Sequence, residues 1–231
     1  MEELLRSGLT ALGLSTEGIS QLLRYGSMLL EKNKVMNLTA ITAPEDVAAL
    51  HFLDSAALLT LADFRGKSVV DVGTGAGFPG LPLRILEPSI RLTLLDSLNK
   101  RVDFLGEVCG ALGFGDVACV HGRAEEFAAE HRESFDFAVS RAVAALPLLA
   151  ELCLPLVREG GTFLAMKSVD SDEELESAKD AIKLLGGAAP EVRDYRIPGT
   201  EVRHRAVLIK KISPTPKKYP RMFAKIKKNP L

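Results

Sequence analysis

The rhythm of hydrophobic and polar positions changes near residue 67. Before it, Ile19, Leu22, Leu23, Leu29 and Leu30 fall at helical spacing through Lys34. Thr16 is placed to cap that helix, and Pro44 suits the first turn of a second one running to Leu61. After Lys67, short apolar, β-branched runs alternate with amphipathic stretches. Residues 68–72, 90–95, 117–120, 135–140 and 161–166 read as strands. Residues 81–86, 99–112, 124–131 and 146–157 read as helices, and Ser171-Asp172-Glu173-Glu174 as a capping box opening a helix to Leu185. Residues 192–197 and 203–212 follow each other with no helix between them. They are expected to pair as an antiparallel hairpin at one sheet edge.

Strands alternating with helices predict an α/β chain with a parallel sheet covered on both faces. The expected layout is a helical cap over residues 1–62 and a seven-stranded, mostly parallel sheet domain over residues 63–231. Five parallel strands followed by an antiparallel edge hairpin resemble the Rossmann-like class I methyltransferase architecture.

Composition narrows the class. With 231 residues, 47% hydrophobic and 26% charged, the chain is neither disordered nor a disulfide-stapled miniprotein. Its start, Met1-Glu2-Glu3, has neither the basic nor the apolar region of a secretory signal. The longest apolar run, residues 142–157, contains Glu151 and two prolines and is too short to span a bilayer. Cys109, Cys119 and Cys153 lack metal-ligand spacing and read as reduced thiols, so a cytoplasmic protein with no metal and no membrane association is expected. The net charge of -1 conceals an asymmetry. Residues 202–231 hold ten Lys or Arg and no acid, leaving 19 basic against 30 acidic residues before them. A basic C-terminal tail of that kind points to a polyanionic partner, with nucleic acid favoured over a merely solvated segment.

The candidate chemistry centres on residues 69–80, VVDVGTGAGFPG, where a strand ends in alternating glycines before a helix. Gly73, Gly75 and Gly77 permit positive φ and let a ligand approach bare backbone. The stretch from Gly75 to Gly80 matches Gly-x-Gly-x-x-Gly, which also serves dinucleotides. Asp96 ends the second strand, where a carboxylate meets a cofactor's ribose. NAD and S-adenosylmethionine both present that sugar, but no tyrosine is followed four residues later by lysine, as a short-chain oxidoreductase requires.

Further stretches occur in order: Asn37-Leu38-Thr39, residues 51–55 (HFLDS), the glycine stretch, Lys100-Arg101 with Phe104-Leu105, Gly122-Arg123-Ala124-Glu125, Ser140-Arg141-Ala142, Met166-Lys167, Tyr219-Pro220-Arg221 and Lys228-Asn229-Pro230-Leu231. On these the chain resembles the RsmG (GidB) family from about residue 35 to its end, departing at Ala224 and Ile226. The resemblance implies an S-adenosylmethionine-dependent enzyme that methylates N7 of a guanosine in 16S ribosomal RNA, acting on that RNA or on a small-subunit assembly particle. It also implies cofactor contacts at Gly73, Phe78, Ala124, Glu125 and Arg141. Asp96 would hold the ribose, Glu125 would lie beside the adenine, and Arg141 would position the reactants. Guanine N7 carries no proton, so no general base is required. The sequence accordingly lacks both a Pro-Cys nucleophile and the Asp/Asn-Pro-Pro-Tyr/Phe run of amine methylation.

Lys100, Arg101, Arg123 and Lys167 fall near carboxyl ends of strands and read as phosphate contacts, together with Lys217, Lys218 and Arg221 of the tail. His51 and Asp54 read as a hydrogen-bonding link between cap and core. Two other functions fit less well: a non-catalytic RNA- or ribosome-binding protein with a degenerate cofactor fold, and a small-molecule methyltransferase.

Overall fold

Helices α1 (Glu2–Ala11) and α2 (Ile19–Met36) open the computed structural model, which describes residues 1–141 and 143–231. Gly18 rather than Thr16 occupies the N-cap of α2. It is in helical conformation, and the turn closes through backbone, Ile19 N–H to Thr16 carbonyl at 3.2 Å, with no side-chain cap. A continuous rod follows: α3 (Pro44–Val47), a π-helical turn (Ala48–Leu53), α4 (Asp54–Ala57) and a 3₁₀ turn (Leu58–Thr60). Proline's fixed φ suits its place in the first turn of that rod.

The remainder alternates as the apolar runs predict: β1 (Ser68–Val72), α5 (Gly80–Leu86), β2 (Arg91–Asp96), α6 (Asn99–Leu112), β3 (Ala118–His121), α7 (Ala124–Glu130), β4 (Phe135–Arg141) and α8 (Leu146–Cys153). Then come β5 (Val157–Ser168), α9 (Asp172–Leu184), β6 (Glu191–Arg196), β7 (Arg203–Lys210) and α10 (Phe223–Lys228). The strand order is β3-β2-β1-β4-β5-β7-β6, with only β7 running against its neighbours. The order reverses between β1 and β4, which opens a crevice at the carboxyl ends of the strands.

Some boundaries differ from expectation. The 146–157 helix stops at Cys153, a 3₁₀ turn intervenes, and Val157 already pairs with Phe135 in the sheet. Helix α9 begins after Ser171 as the capping box requires, yet the Ser171 hydroxyl is buried and forms no hydrogen bond among the described residues.

Successive residues of β1 point into different cores. Val69 joins Leu22, Tyr25, Leu29, Phe52 and Phe104 on the face covered by the cap helices and α6. Val70 joins Leu149, Cys153, Phe163 and Ile182 on the face covered by α8 and α9. Both faces are buried, which is why the strands read as unbroken apolar runs. The cap's apolar residues belong to the same buried cluster as the sheet.

The basic tail is a docked strap. Tyr219 and Ile226 are buried in the second core. Lys211, counted among the tail charges, is fully buried, donating to Glu133 at 3.0 Å, the Leu154 carbonyl at 2.8 Å and the Thr215 hydroxyl at 2.7 Å. Arg132 donates to the carbonyls of Thr215, Pro216 and Tyr219. Arg221 grips the fully buried Glu151 through its backbone N–H at 2.9 Å, Nε at 2.8 Å and Nη2 at 2.6 Å.

Candidate active site

The glycine loop is held from three sides. Below it, Asp71 of β1 accepts from the Gly80 N–H at 2.8 Å and the Thr74 hydroxyl at 2.7 Å, tying strand end to helix start. Burial pushes the Asp71 carboxyl up to about 6. From the cap, the Tyr25 hydroxyl donates to the Ala76 carbonyl. From β2, Asp96 accepts from the Gly75 N–H at 2.9 Å.

Gly75 and Gly77 answer to different neighbours. Gly75 has φ +61°, and only a backbone oxygen 4.0 Å away would meet a side chain there. Gly77 has φ +109°, and a Cβ would lie 2.5 Å from the Tyr25 hydroxyl and 2.7 Å from Leu81. Gly75 therefore faces the cleft, whereas Gly77 faces the cap and does not line it.

The cleft has a volume of about 430 Å³ and is lined by Gly73, Gly75, Phe78, Asp96, Arg101 and Arg141, closed on the cap side by Leu38, Thr39 and His51. A smaller cavity of about 120 Å³ shares Gly73 and Asp96 with it and brings in Ala124 and Glu125. Seven of the eight residues expected at the cofactor thus line these two neighbouring cavities, and Gly77 lies behind the loop. Ala142, the third residue of the Ser140-Arg141-Ala142 run, lies outside the described residues.

Asp96 is buried at the carboxyl end of β2. It is 3% exposed, and besides Gly75 its carboxylate accepts from the Leu98 N–H at 2.9 Å and Arg101 at 3.3 Å. A carboxylate offers roughly four acceptor positions, so about one remains for a ribose hydroxyl.

Arg141 is the junction of the site. Its guanidinium lies 4.9 Å above the Phe78 ring and donates to the Leu50 carbonyl at 3.0 Å and to His51 Nδ1 at 2.9 Å. Because arginine only donates, Nδ1 is the acceptor, and Nε2–H points to the Thr39 hydroxyl at 2.8 Å. Burial and the adjacent guanidinium hold His51 down to about 3, so it stays neutral. Asp54 is fully buried and accepts from the Tyr195 hydroxyl at 2.8 Å and His204 Nδ1 at 2.9 Å, with Arg141 at 3.4 Å. The Asp54 carboxylate raises His204 above its ordinary value. His51 and Asp54 do link cap to core.

Across Arg141 from the cleft lies a second cavity, about 500 Å³ and predominantly apolar. Its walls include Ile41, Leu50, Met166, Val202 and His204.

The expected phosphate contacts separate into two groups. Lys100, Arg123, Lys217 and Lys218 are exposed. Arg101 is pulled into the cleft by Asp96. Lys167 is spent on the Ala144 carbonyl at 2.6 Å and on Glu174 at 2.8 Å, and Arg221 is spent on Glu151. These cations are engaged by partners within the chain, whereas the first four are open to solvent. Sequence reasoning missed Asp71, Tyr25, Tyr195 and His204. For Asp71 a signal exists, a lone acid inside a buried strand. Among the described residues no cluster of three or more His, Cys, Asp or Glu could hold a metal ion, and no helix is long and apolar enough to cross a membrane.

The residues fit an adenosyl ligand: bare glycine backbone, one free acceptor position on Asp96, and a carboxylate at Glu125 in the adjoining cavity. Strand order and cleft together place the chain among the class I S-adenosylmethionine-dependent methyltransferases. A family model described as rRNA small subunit methyltransferase G (GidB) matches residues 18–201. The chain belongs to this family. It is 46% identical over 233 residues to the ribosomal RNA small subunit methyltransferase G of Alkaliphilus metalliredigens, covering 99% of this chain and 98% of that one. It is also 46% identical over 215 residues to the protein of the same name from Clostridium botulinum (strain Loch Maree / Type A3), covering 92% and 90%. A solved S-adenosylmethionine-dependent methyltransferase from Aquifex aeolicus superposes with a TM-score of 0.55 at 15% identity, over 76% of this chain and 97% of that one. That likeness is one of fold.

Proposed function

We propose that this chain transfers a methyl group from S-adenosylmethionine to N7 of a guanosine in the ribosomal RNA of the small subunit, presented as RNA or within an assembly particle. The observation that carries this reading is the meeting of two cavities at Arg141, with the titratable groups around it already committed. His51 is neutral and bonded at both ring nitrogens, Asp54 is fully buried and accepts from Tyr195, His204 and Arg141, and Lys167 is paired. An exocyclic amine must shed a proton in the course of methylation, whereas N7 carries none to lose.

Bound S-adenosylmethionine supplies an electrophilic methyl. The chain's part is placement. Gly73, Gly75 and Asp96 would hold the ligand on its side of Arg141, while the apolar cavity at the ends of β4 and β5 would receive the base, so that the two reactants are held in line. Arg141 is fixed by Leu50 and His51 and keeps its position between them. The cleft retains its glycine backbone and its carboxylates, which leaves the degenerate-fold alternative without support.

Incubation with labelled S-adenosylmethionine and unmodified small-subunit RNA or subunits should place label on one guanosine, and strand scission specific for N7-methylguanosine should locate it. Label on an exocyclic amine, or none on any RNA, would overturn the reading.

The exposed lysines of the strap offer a phosphate-binding face. Replacing Lys217, Lys218, Lys225, Lys227 and Lys228 with Gln should flatten the salt dependence of RNA binding. At roughly 0.7 per lost phosphate contact on a single strand, the expected change is about two to three units. Arg221 is left in place because it anchors the strap. An unchanged slope in filter-binding titrations would move the RNA face to Lys100 and Arg123.

A further inference from the structure

The smaller cavity beside Asp96 has a wall that comes from the opposite end of the sequence. Phe223, the first residue of α10, lines it together with Gly122, Ala124 and Glu125. The Phe223 N–H donates to Glu125 Oε1 at 3.1 Å, and the Arg123 guanidinium lies 5.3 Å from the centre of the Phe223 ring. Glu125 itself is buried. Its other carboxylate oxygen makes no hydrogen bond among the described residues.

We infer that Phe223 is a positioning residue for the adenine of S-adenosylmethionine, so that the C-terminal strap forms part of the cofactor site. The inference rests on the cofactor reading above. Adenine asks for two things: a flat apolar or aromatic face, and an acceptor for its exocyclic amine. The Phe223 ring supplies the first and the open oxygen of Glu125 the second. One hydrogen bond fixes both, because the backbone of Phe223 occupies the oxygen of Glu125 that would otherwise be free to turn away.

The strap is rigid enough for this task. Arg221, two residues before, is clamped on Glu151, and Ile226, three residues after, is fully buried. The exposed lysines Lys225, Lys227 and Lys228 ride on the same short helix.

The test uses the full chain. Phe223→Ala should weaken S-adenosylmethionine binding about tenfold by calorimetric titration, and S-adenosylhomocysteine equally, since both carry the adenine. Phe223→Tyr should bind as the parent does. The chain contains no tryptophan. The Phe223→Trp variant therefore reports on that position alone, and its emission should change on adding S-adenosylmethionine and saturate at the calorimetric dissociation constant. A ring that only props up the strap would not respond. Unchanged affinity in Phe223→Ala together with silent emission in Phe223→Trp would overturn the inference while leaving the cofactor reading intact. Failure of the parent chain to bind S-adenosylmethionine would overturn both.

Discussion

Gly75→Val should abolish S-adenosylmethionine binding and leave the chain folded. The position has φ +61°, and nothing but a backbone oxygen 4.0 Å away would meet the new Cβ, because the space beside it is the cleft. The branched side chain would occupy volume that the ligand needs, and a left-handed conformation costs a β-branched residue about 1–2 kcal/mol. The Gly75 N–H that Asp96 accepts is unchanged by the substitution. A loss of at least about 100-fold in affinity, ~2.7 kcal/mol, is expected with a melting temperature lower by roughly 2–8 °C. Gly77→Ala should behave in the opposite way. Its Cβ would strike Tyr25, Leu81 and Leu105 in the core, so the main loss is in stability, and affinity falls only as far as the displaced Tyr25 hydroxyl loosens its hold on the Ala76 carbonyl. Calorimetric titration and thermal melts of the two variants side by side would separate a ligand-facing glycine from a packing one. Normal binding by a folded Gly75→Val chain would mean that the loop does not contact the cofactor.

How far the sequence discloses this molecule follows from where each interaction lies along the chain. The strands are legible because parallel strands buried on both faces are short apolar runs. The edge hairpin is legible because no helix fits between residues 197 and 203. The glycine loop and Asp96 are legible because each sits at the end of such a run. What escapes is settled by partners far apart in sequence. Nothing near Arg221 announces that Glu151, seventy residues earlier, will hold it. Lys167 looks like a free cation until Glu174 and the Ala144 carbonyl are brought to it. The strap has no periodicity to read, since Tyr219 and Ile226 enter the core singly. A count of basic residues therefore captures the charge of residues 202–231 but not their place. Three of the ten, Arg205, Lys211 and Arg221, form ion pairs with Asp194, Glu133 and Glu151 and serve the fold.

The ion pair between Arg221 and Glu151 should be strongly asymmetric to substitution. Glu151 is fully buried, whereas the Arg221 side chain is 14% exposed and lies at the rim. In Arg221→Met the carboxylate would stay buried, keeping only the backbone N–H at position 221 as its donor, and removing one partner of a buried pair costs about 3–5 kcal/mol. For a chain of this length that is a drop of roughly 10 °C in melting temperature. In Glu151→Met the loss should be smaller, because the guanidinium can turn outward into water and remain solvated. The double variant should recover most of the stability, since two apolar side chains of similar volume remove the buried charge altogether. The strap cannot simply lift away to relieve the strain of Arg221→Met: Tyr219 and Ile226 are packed among Leu149, Cys153 and Phe163, so leaving would expose core. Thermal melts of the two single variants and the double form a complete cycle. Equal losses in the two single variants, or additive losses in the double, would show that the pair is an ordinary surface contact rather than the clasp that holds the strap.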